Sequence, residues 1–228
     1  MSRTVMKHIV LIFFATAVLL ARAQDVGHDF SRMQDNFRKK KYSCEQLIRN
    51  YDNVNDTVPS SRIHVRFFRN NDLYLMQFTG YFILMSDSMM LTVQTKEKIM
   101  ILSDISKQDP AERVPVLSFP DVDSLLALID SVSFDTPGNL LHYKMKLHDK
   151  DVARMEVYMD KKTHVMQKGI VEQQPKDGAR KKSIIEYLKY DPDPVYDRKE
   201  FSFETYIQIT PAGVIPAEAY KGYQIFIN

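Results

Sequence analysis

The 228-residue chain contains one cysteine, Cys44, no tryptophan and only seven glycines. A lone cysteine excludes an internal disulfide, so the fold must be held by its hydrophobic core. Nothing beside Cys44 marks a nucleophile. It reads as a buried, inert thiol, with pairing between chains as the other option. The few glycines form no Gly-x-Ser-x-Gly elbow and no phosphate-cradling or dinucleotide loop. The net charge of +2 is small and its basic residues are scattered. The runs at 38–41 and 180–182 are too short to mark a nucleic-acid surface. His28, His64, His142, His148 and His164 lack metal-ligand spacing, and His142 and His148 read as surface residues. Asp191 and Asp193 lie in an Asp-Pro-Asp-Pro loop, which bends the chain rather than holding a cation. No pair of carboxylates is nominated for hydrolysis. The chain is therefore expected to have no catalytic residue, no metal and no cofactor. An enzyme with an unrecognised constellation is the rival to that reading.

Long apolar runs are also missing. The longest, Ile9 to Leu20, has twelve residues, where a membrane-spanning helix needs about 20. Arg3, Lys7 and His8 precede it and Ala21-Arg22-Ala23 follows, the pattern of a signal peptide cleaved after Ala23. Residues 1–23 are thus expected to be an export signal. The remaining stretch of about 205 residues suits one large domain. Asn55-Asp56-Thr57 matches a glycosylation sequon, which matters only where that machinery exists.

What is present is a succession of short apolar runs cut by turn residues. Residues 29–39 carry Phe30, Met33 and Phe37 at helical spacing, with cations at the C-terminal end. Tyr42, Cys44 and Tyr51 tilt 41–51 toward a strand. Strands follow at 63–69, 72–78, 81–85, 88–95 and 98–103, separated by two-residue turns, most carrying Asn, Asp or Gly. A loop at 104–119 leads to a helix at 121–132, begun by Pro120, Asp121 and Asp123. Further strands are expected at 139–147, 152–159, 164–173, 179–190 and 203–210. The fold class is mainly β (α+β): an antiparallel meander forming a curved sheet or incomplete barrel, with an N-terminal helix and one short covering helix.

The tight turns set a register. Phe78 should oppose Tyr81, Met76 oppose Ile83, Leu84 oppose Met89 and Phe82 oppose Leu91. One face then collects Leu73, Leu75, Phe82, Leu84, Met89, Leu91, Val93, Met100 and Leu102. The other collects Tyr74, Met76, Phe78, Tyr81, Ile83, Met85 and Met90. A sheet with one wet face would alternate polar and apolar residues. Here both faces are apolar, so each must be covered or one must hold a ligand. The methionines of this stretch fit two readings: ordinary core filler, or a surface that adapts to an irregular apolar guest. The nine residues of the first face are the candidate ligand-binding set.

The order of signal, helix, meander, short helix and further hairpins resembles the periplasmic outer-membrane lipoprotein carrier (LolA/LolB-like) family. The turn Tyr158-Met159-Asp160-Lys161-Lys162-Thr163 is similar to a strand-ending Asp-x-Lys-Thr turn of that family. The resemblance implies an incomplete barrel with an apolar concave face under helical lids. It also implies a periplasmic, non-catalytic carrier or chaperone that shields a lipid, an acyl chain or a lipoprotein. The alternative is a structural or assembly component of a cell-envelope complex acting through protein contacts.

Overall fold

Residues 26–38 form helix α1, and its apolar positions Val26, Phe30, Met33 and Phe37 are all nearly fully buried. Their spacing gives one stripe on a helical surface, and each such side chain contributes about 1.5–3 kcal/mol on burial. The computed structural model describes residues 26–108, 122–149, 151–175 and 178–228. The expected signal segment, the helix-starting residues Pro120 and Asp121 and most of the 104–119 loop lie outside them.

Beyond α1 come β1 (Lys41–Tyr51), β2 (Ser61–Asn70), β3 (Leu73–Phe78), β4 (Tyr81–Met85), β5 (Met89–Gln94) and β6 (Ile99–Asp104). Helix α2 spans Val122–Ala127. It is followed by β7 (Ile129–Asp135), β8 (Leu140–Leu147), β9 (Val152–Asp160), β10 (Met166–Gln173) and β11 (Lys181–Asp191). The C-terminal segment holds β12 (Ile207–Thr210), β13 (Gly213–Pro216), β14 (Gln224–Ile227) and three short 3-10 turns.

Twelve strands form one sheet in the order β14-β6-β5-β4-β3-β2-β1-β11-β10-β9-β8-β7, while β12 and β13 form a separate hairpin. The two meanders join through the antiparallel pair of β1 and β11. The sheet does not close, because β7 and β14 at its two ends have no pairing with each other. It is mixed rather than purely antiparallel, since β14 runs parallel to β6, with Phe226 opposite Ile101. The closing segment carries no hairpin turn into β6, so the sequence pattern could not place it.

Three of the expected details change. The β4–β5 register differs: Leu84 faces Leu91 and Phe82 faces Val93. The loop is longer than two residues because Ser86 Oγ accepts the N–H groups of Ser88 and Met89. A shift of two leaves every side chain on its expected face. The helix expected over 121–132 ends at Ala127, and Ile129 to Asp135 pair with β8 instead. Asp130-Ser131-Val132-Ser133-Phe134 alternates with period two, which suits a strand as well as a short helix stripe. Residues 203–210 begin with a 3-10 turn (Phe203–Thr205) and only Ile207–Thr210 are extended.

Candidate ligand-binding face

The sheet has two sides with different covers. On the tail side, β3–β6 meet the C-terminal segment, where Phe201, Tyr206 and Ile207 are buried and Tyr196, Phe203, Val214, Tyr220 and Ile225 pack around them. Aromatic rings tie this cover down: Phe82 and Tyr206 lie 5.0 Å apart, and Tyr196 and Phe201 4.8 Å. The Tyr196 hydroxyl lies 2.6 Å from the carbonyl of Tyr42 and 2.7 Å from that of Arg69.

The nine sequence-nominated residues all lie on this tail side. Leu84, Leu91, Val93 and Met100 have no accessible surface, and Leu75 has almost none. Leu102 is also buried, Leu73 and Phe82 pack half-buried at the margin, and Met89 is half-buried at the start of β5. Side chains of the same chain occupy the space over this face. The sequence brought the nine together correctly but did not reveal that 196–225 folds back over them.

The helix side is the opposite face. α1 packs there on Tyr42, Cys44, Phe67 and Met76 from the first meander and on Tyr143, Val157, Met159, Met166 and Tyr187 from the second. α2 adds Val122 and Leu125. Polar bonds hold both ends of α1. Asp29 accepts from the Tyr143 hydroxyl, and His164 Nε2 lies 3.0 Å from Asp29 Oδ1. At the other end Asn36 Nδ2 donates to Thr163 O, the Tyr190 hydroxyl donates to Asn36 O, and Arg69 donates to Phe37 O. His164 Nδ1 is buried with no partner among the described residues.

At the margin of this core, partly buried apolar residues continue across the helix side. The register sets Ile63 opposite Ile48, Ile48 opposite Ile185, and Met155 opposite Val171. Ile83 on β4 lies elsewhere on this side, opposite Met76, which in turn faces Phe67. None of Ile48, Ile63, Ile83, Met155, Val171 and Ile185 is fully buried, and Ile63 is 37% exposed. Gly169, itself buried, sits opposite Ile185. Asn50, Ser61 and Ser183 bond to one another and bound this surface with polar groups. The result is an apolar floor with partial cover, polar at its end, which can bind by burial of area rather than by chemistry.

Two potentially reactive side chains, Cys44 and His142, are enclosed. Cys44 is buried, and burial pushes its thiol up to about 12. His142, expected at the surface, is buried on the tail side of β8 beyond the cover. Its Nδ1 lies 3.1 Å from Asp135 and its Nε2 3.0 Å from Glu156, and its ring stacks on Tyr158 at 3.8 Å. Both ring nitrogens are engaged, so neither is free to take a proton from a substrate. The signal that could have found this site is the register, which places His142 directly between Asp135 and Tyr158.

No protein-family model and no curated protein sequence matches the chain. Solved structures do match in fold. An uncharacterized conserved protein from Thermus thermophilus is 10% identical, with 88% of this chain and 98% of that chain covered and a TM-score of 0.50. A LolA superfamily protein from Nitrosomonas europaea is 10% identical over 75% of this chain and 96% of that one, with a TM-score of 0.38. Lipoprotein LppX from Mycobacterium tuberculosis is 9% identical over 76% and 98%, with a TM-score of 0.39. At about 10% identity these likenesses concern the fold alone. No helix among the described residues is long and apolar enough to cross a membrane.

Proposed function

We propose that this protein is a non-catalytic periplasmic carrier that holds a lipid, an acyl chain or a lipidated protein against the helix side of its sheet. The observation that carries the reading is the half-covered apolar surface of Ile48, Ile63, Ile185, Met155 and Val171. In this reading the nine tail-side residues of β3–β6 seat the cover of 196–225 and leave guest binding to the helix side. An acyl chain gains about 0.8 kcal/mol for each methylene it buries, so a floor of this kind needs no charged contact to retain one. The export signal expected at 1–23 and the carrier-like order of elements are consistent with delivery across an aqueous compartment. The test is to purify the mature protein, extract it for lipid mass spectrometry, and titrate a fluorescent fatty acid. Co-purified lipid with saturable probe binding is expected. An empty extract together with an inert probe would count against the carrier.

A second reading, an envelope-assembly component acting by protein contacts, draws on β7. This edge strand is exposed from Asp130 to Asp135 and presents Val132 and Phe134, 37% and 42% exposed. Open edges of this type accept an added strand. It predicts a stoichiometric complex that charge insertion at Val132 abolishes, with no lipid in the purified protein.

A further inference from the structure

On the tail side, β7 to β10 lie beyond the C-terminal cover, and none of their residues joins the core beneath it. A cleft of about 460 Å³ opens there, within the size range of small-molecule sites, about 300–1,000 Å³. Four cations line it: Lys144 and Lys146 from β8, Arg154 from β9, and Arg180 just before β11. Ser131, Ser133 and Glu172 line it as well. The register fixes how these groups meet. Lys146 stands directly between Ser131 and Arg154, and Lys144 between Ser133 and Glu156. Glu172 follows on the far flank of Arg154. Residues paired in an antiparallel ladder point to the same face, with Cβ atoms about 4.5–5.5 Å apart. Lys144 and Lys146 alternate with the buried Tyr143 and Met145, so they share the tail side with His142.

Lys146 and Arg154 are therefore like charges placed directly opposite each other, an arrangement that destabilises a sheet. The nearby acids do little to offset it. Asp135 is shared by Lys144 at 3.3 Å and His142 at 3.1 Å. Glu156 lies 3.0 Å from His142 and meets Arg154 at one guanidinium nitrogen, at 2.9 Å. Among the described residues Lys146 and Arg180 enter no ion pair, and the hydroxyls of Ser131 and Ser133 make no hydrogen bond. Glu172 is the one lining carboxylate, and it too has no ion-pair partner among those residues. The cleft thus holds two unpaired cations, a third with donors to spare, and two free hydroxyls against a single acid.

We infer that this cleft binds a phosphate-bearing anion, with its oxygens toward Lys146, Arg154 and Arg180 and the hydroxyls of Ser131 and Ser133 as further donors. A phosphate monoester carries a charge of about −1.5 to −2 and three strong acceptor oxygens, which match this donor set better than the two oxygens of a carboxylate. The planar guanidinium groups of Arg154 and Arg180 suit phosphate recognition. The cleft lies on the opposite side of the sheet from the apolar floor, so the inference goes beyond the carrier reading and does not depend on it. A phospholipid headgroup and a soluble phosphate ester share this chemistry, and the test separates them.

The test uses the full mature chain in two arms. One titrates glycerol 3-phosphate by calorimetry. The other measures flotation with phosphatidylcholine vesicles that contain or lack phosphatidic acid. At least one arm responds to phosphate, and the response weakens as salt is raised. K146Q/R180Q, at two exposed positions, weakens it about tenfold, and Glu172→Gln strengthens it about twofold. Arg62→Gln, an exposed arginine of β2 outside the cleft, leaves it unchanged. K146Q/R180Q relieves the repulsion with Arg154, so its urea midpoint should not fall. Binding of glycerol 3-phosphate supports the site with a soluble ester as its source. Flotation that requires phosphatidic acid supports it with a headgroup. Silence in both arms overturns the inference, and so does an equal loss with K146Q/R180Q and Arg62→Gln, which would mark unspecific attraction to charge. Either failure leaves the carrier reading standing, because that reading is tested by lipid on the other side of the sheet.

Discussion

Leu75 and Met76 are neighbours on β3, both almost wholly buried, and they belong to different cores. Leu75 lies under the C-terminal cover with Leu84 and Leu91, while Met76 lies under α1 with Tyr42 and Phe67. A strand with protein on both sides reads as a continuous apolar run, and this is why 73–78 shows no alternation.

The two sides should respond differently to substitution. Leu91→Ala removes a side chain with no exposed surface from the tail-side core and is expected to cost about 2–5 kcal/mol, leaving a cavity. Ile63→Ser, at an exposed position of the helix-side floor, is expected to change stability by less than about 1 kcal/mol yet reduce lipid loading. Urea unfolding and lipid mass spectrometry on both variants measure the contrast. Equal loss of lipid with Leu91→Ala still folded would move the guest to the tail side.

Tyr196→Phe removes the hydroxyl shared by the carbonyls of Tyr42 and Arg69. A loss of about 1–2 kcal/mol is expected. Because this bond ties the cover to β1 and β2, limited proteolysis should cut within 196–225 sooner than in the unaltered chain. Unchanged cleavage kinetics would mean that the aromatic contacts alone retain the cover.

Alkali should destabilise the fold through its buried phenols and its buried thiol. Burial pushes Cys44 up to about 12 from 9.0, and it pushes Tyr190, Tyr196 and Tyr206 up to about 12 from 10.0. Tyr187 is raised well above its ordinary value by the same cause. These groups keep their protons to higher pH when folded, so the unfolded chain releases them first. Stability is therefore complete below pH 9 and declines as pH rises toward 12. Urea midpoints measured across that range should fall steadily, and Cys44→Ala should flatten the part nearest pH 9. A thiol reagent at neutral pH should label Cys44 only after denaturant is added.

His142→Ala unties β7 from its neighbours. Asp135 belongs to β7 and Glu156 to β9, and His142 stands between them on β8. The variant is expected to lose about 1–3 kcal/mol. Amide hydrogens of β7 should exchange faster, while those of β4 and β5 keep their protection. Uniform loss of protection would show that the clamp supports the whole sheet and not its edge.

Most of the architecture was legible from short-range chemistry. Asn71 and Gly80 occupy left-handed backbone, with φ of 56° and 91°, at two of the turns that the residues mark. The alternation of Leu141, Tyr143, Met145 and Leu147 with His142, Lys144 and Lys146 assigns opposite sides of β8, as found. What stayed hidden depends on distant partners. Tyr196, Tyr206 and Ile207 look like loop and strand residues until they meet Leu84 and Leu91, more than a hundred positions earlier in the chain. The same holds for the candidate site. Both sides of β3–β6 are apolar in composition, and only the tertiary fold decides which is sealed. The bulge at Leu188 carried no local signal, since it comes from pairing between β1 and β11.

The cover over β3–β6 also sets an order of events in biosynthesis. The ribosome releases Leu84 and Leu91 more than a hundred residues before Tyr206 and Ile207 emerge to shield them. During that interval the nascent hairpins present a sticky, uncapped flank that invites self-association. A holding chaperone would keep those hairpins apart until synthesis reaches the residues that shield them.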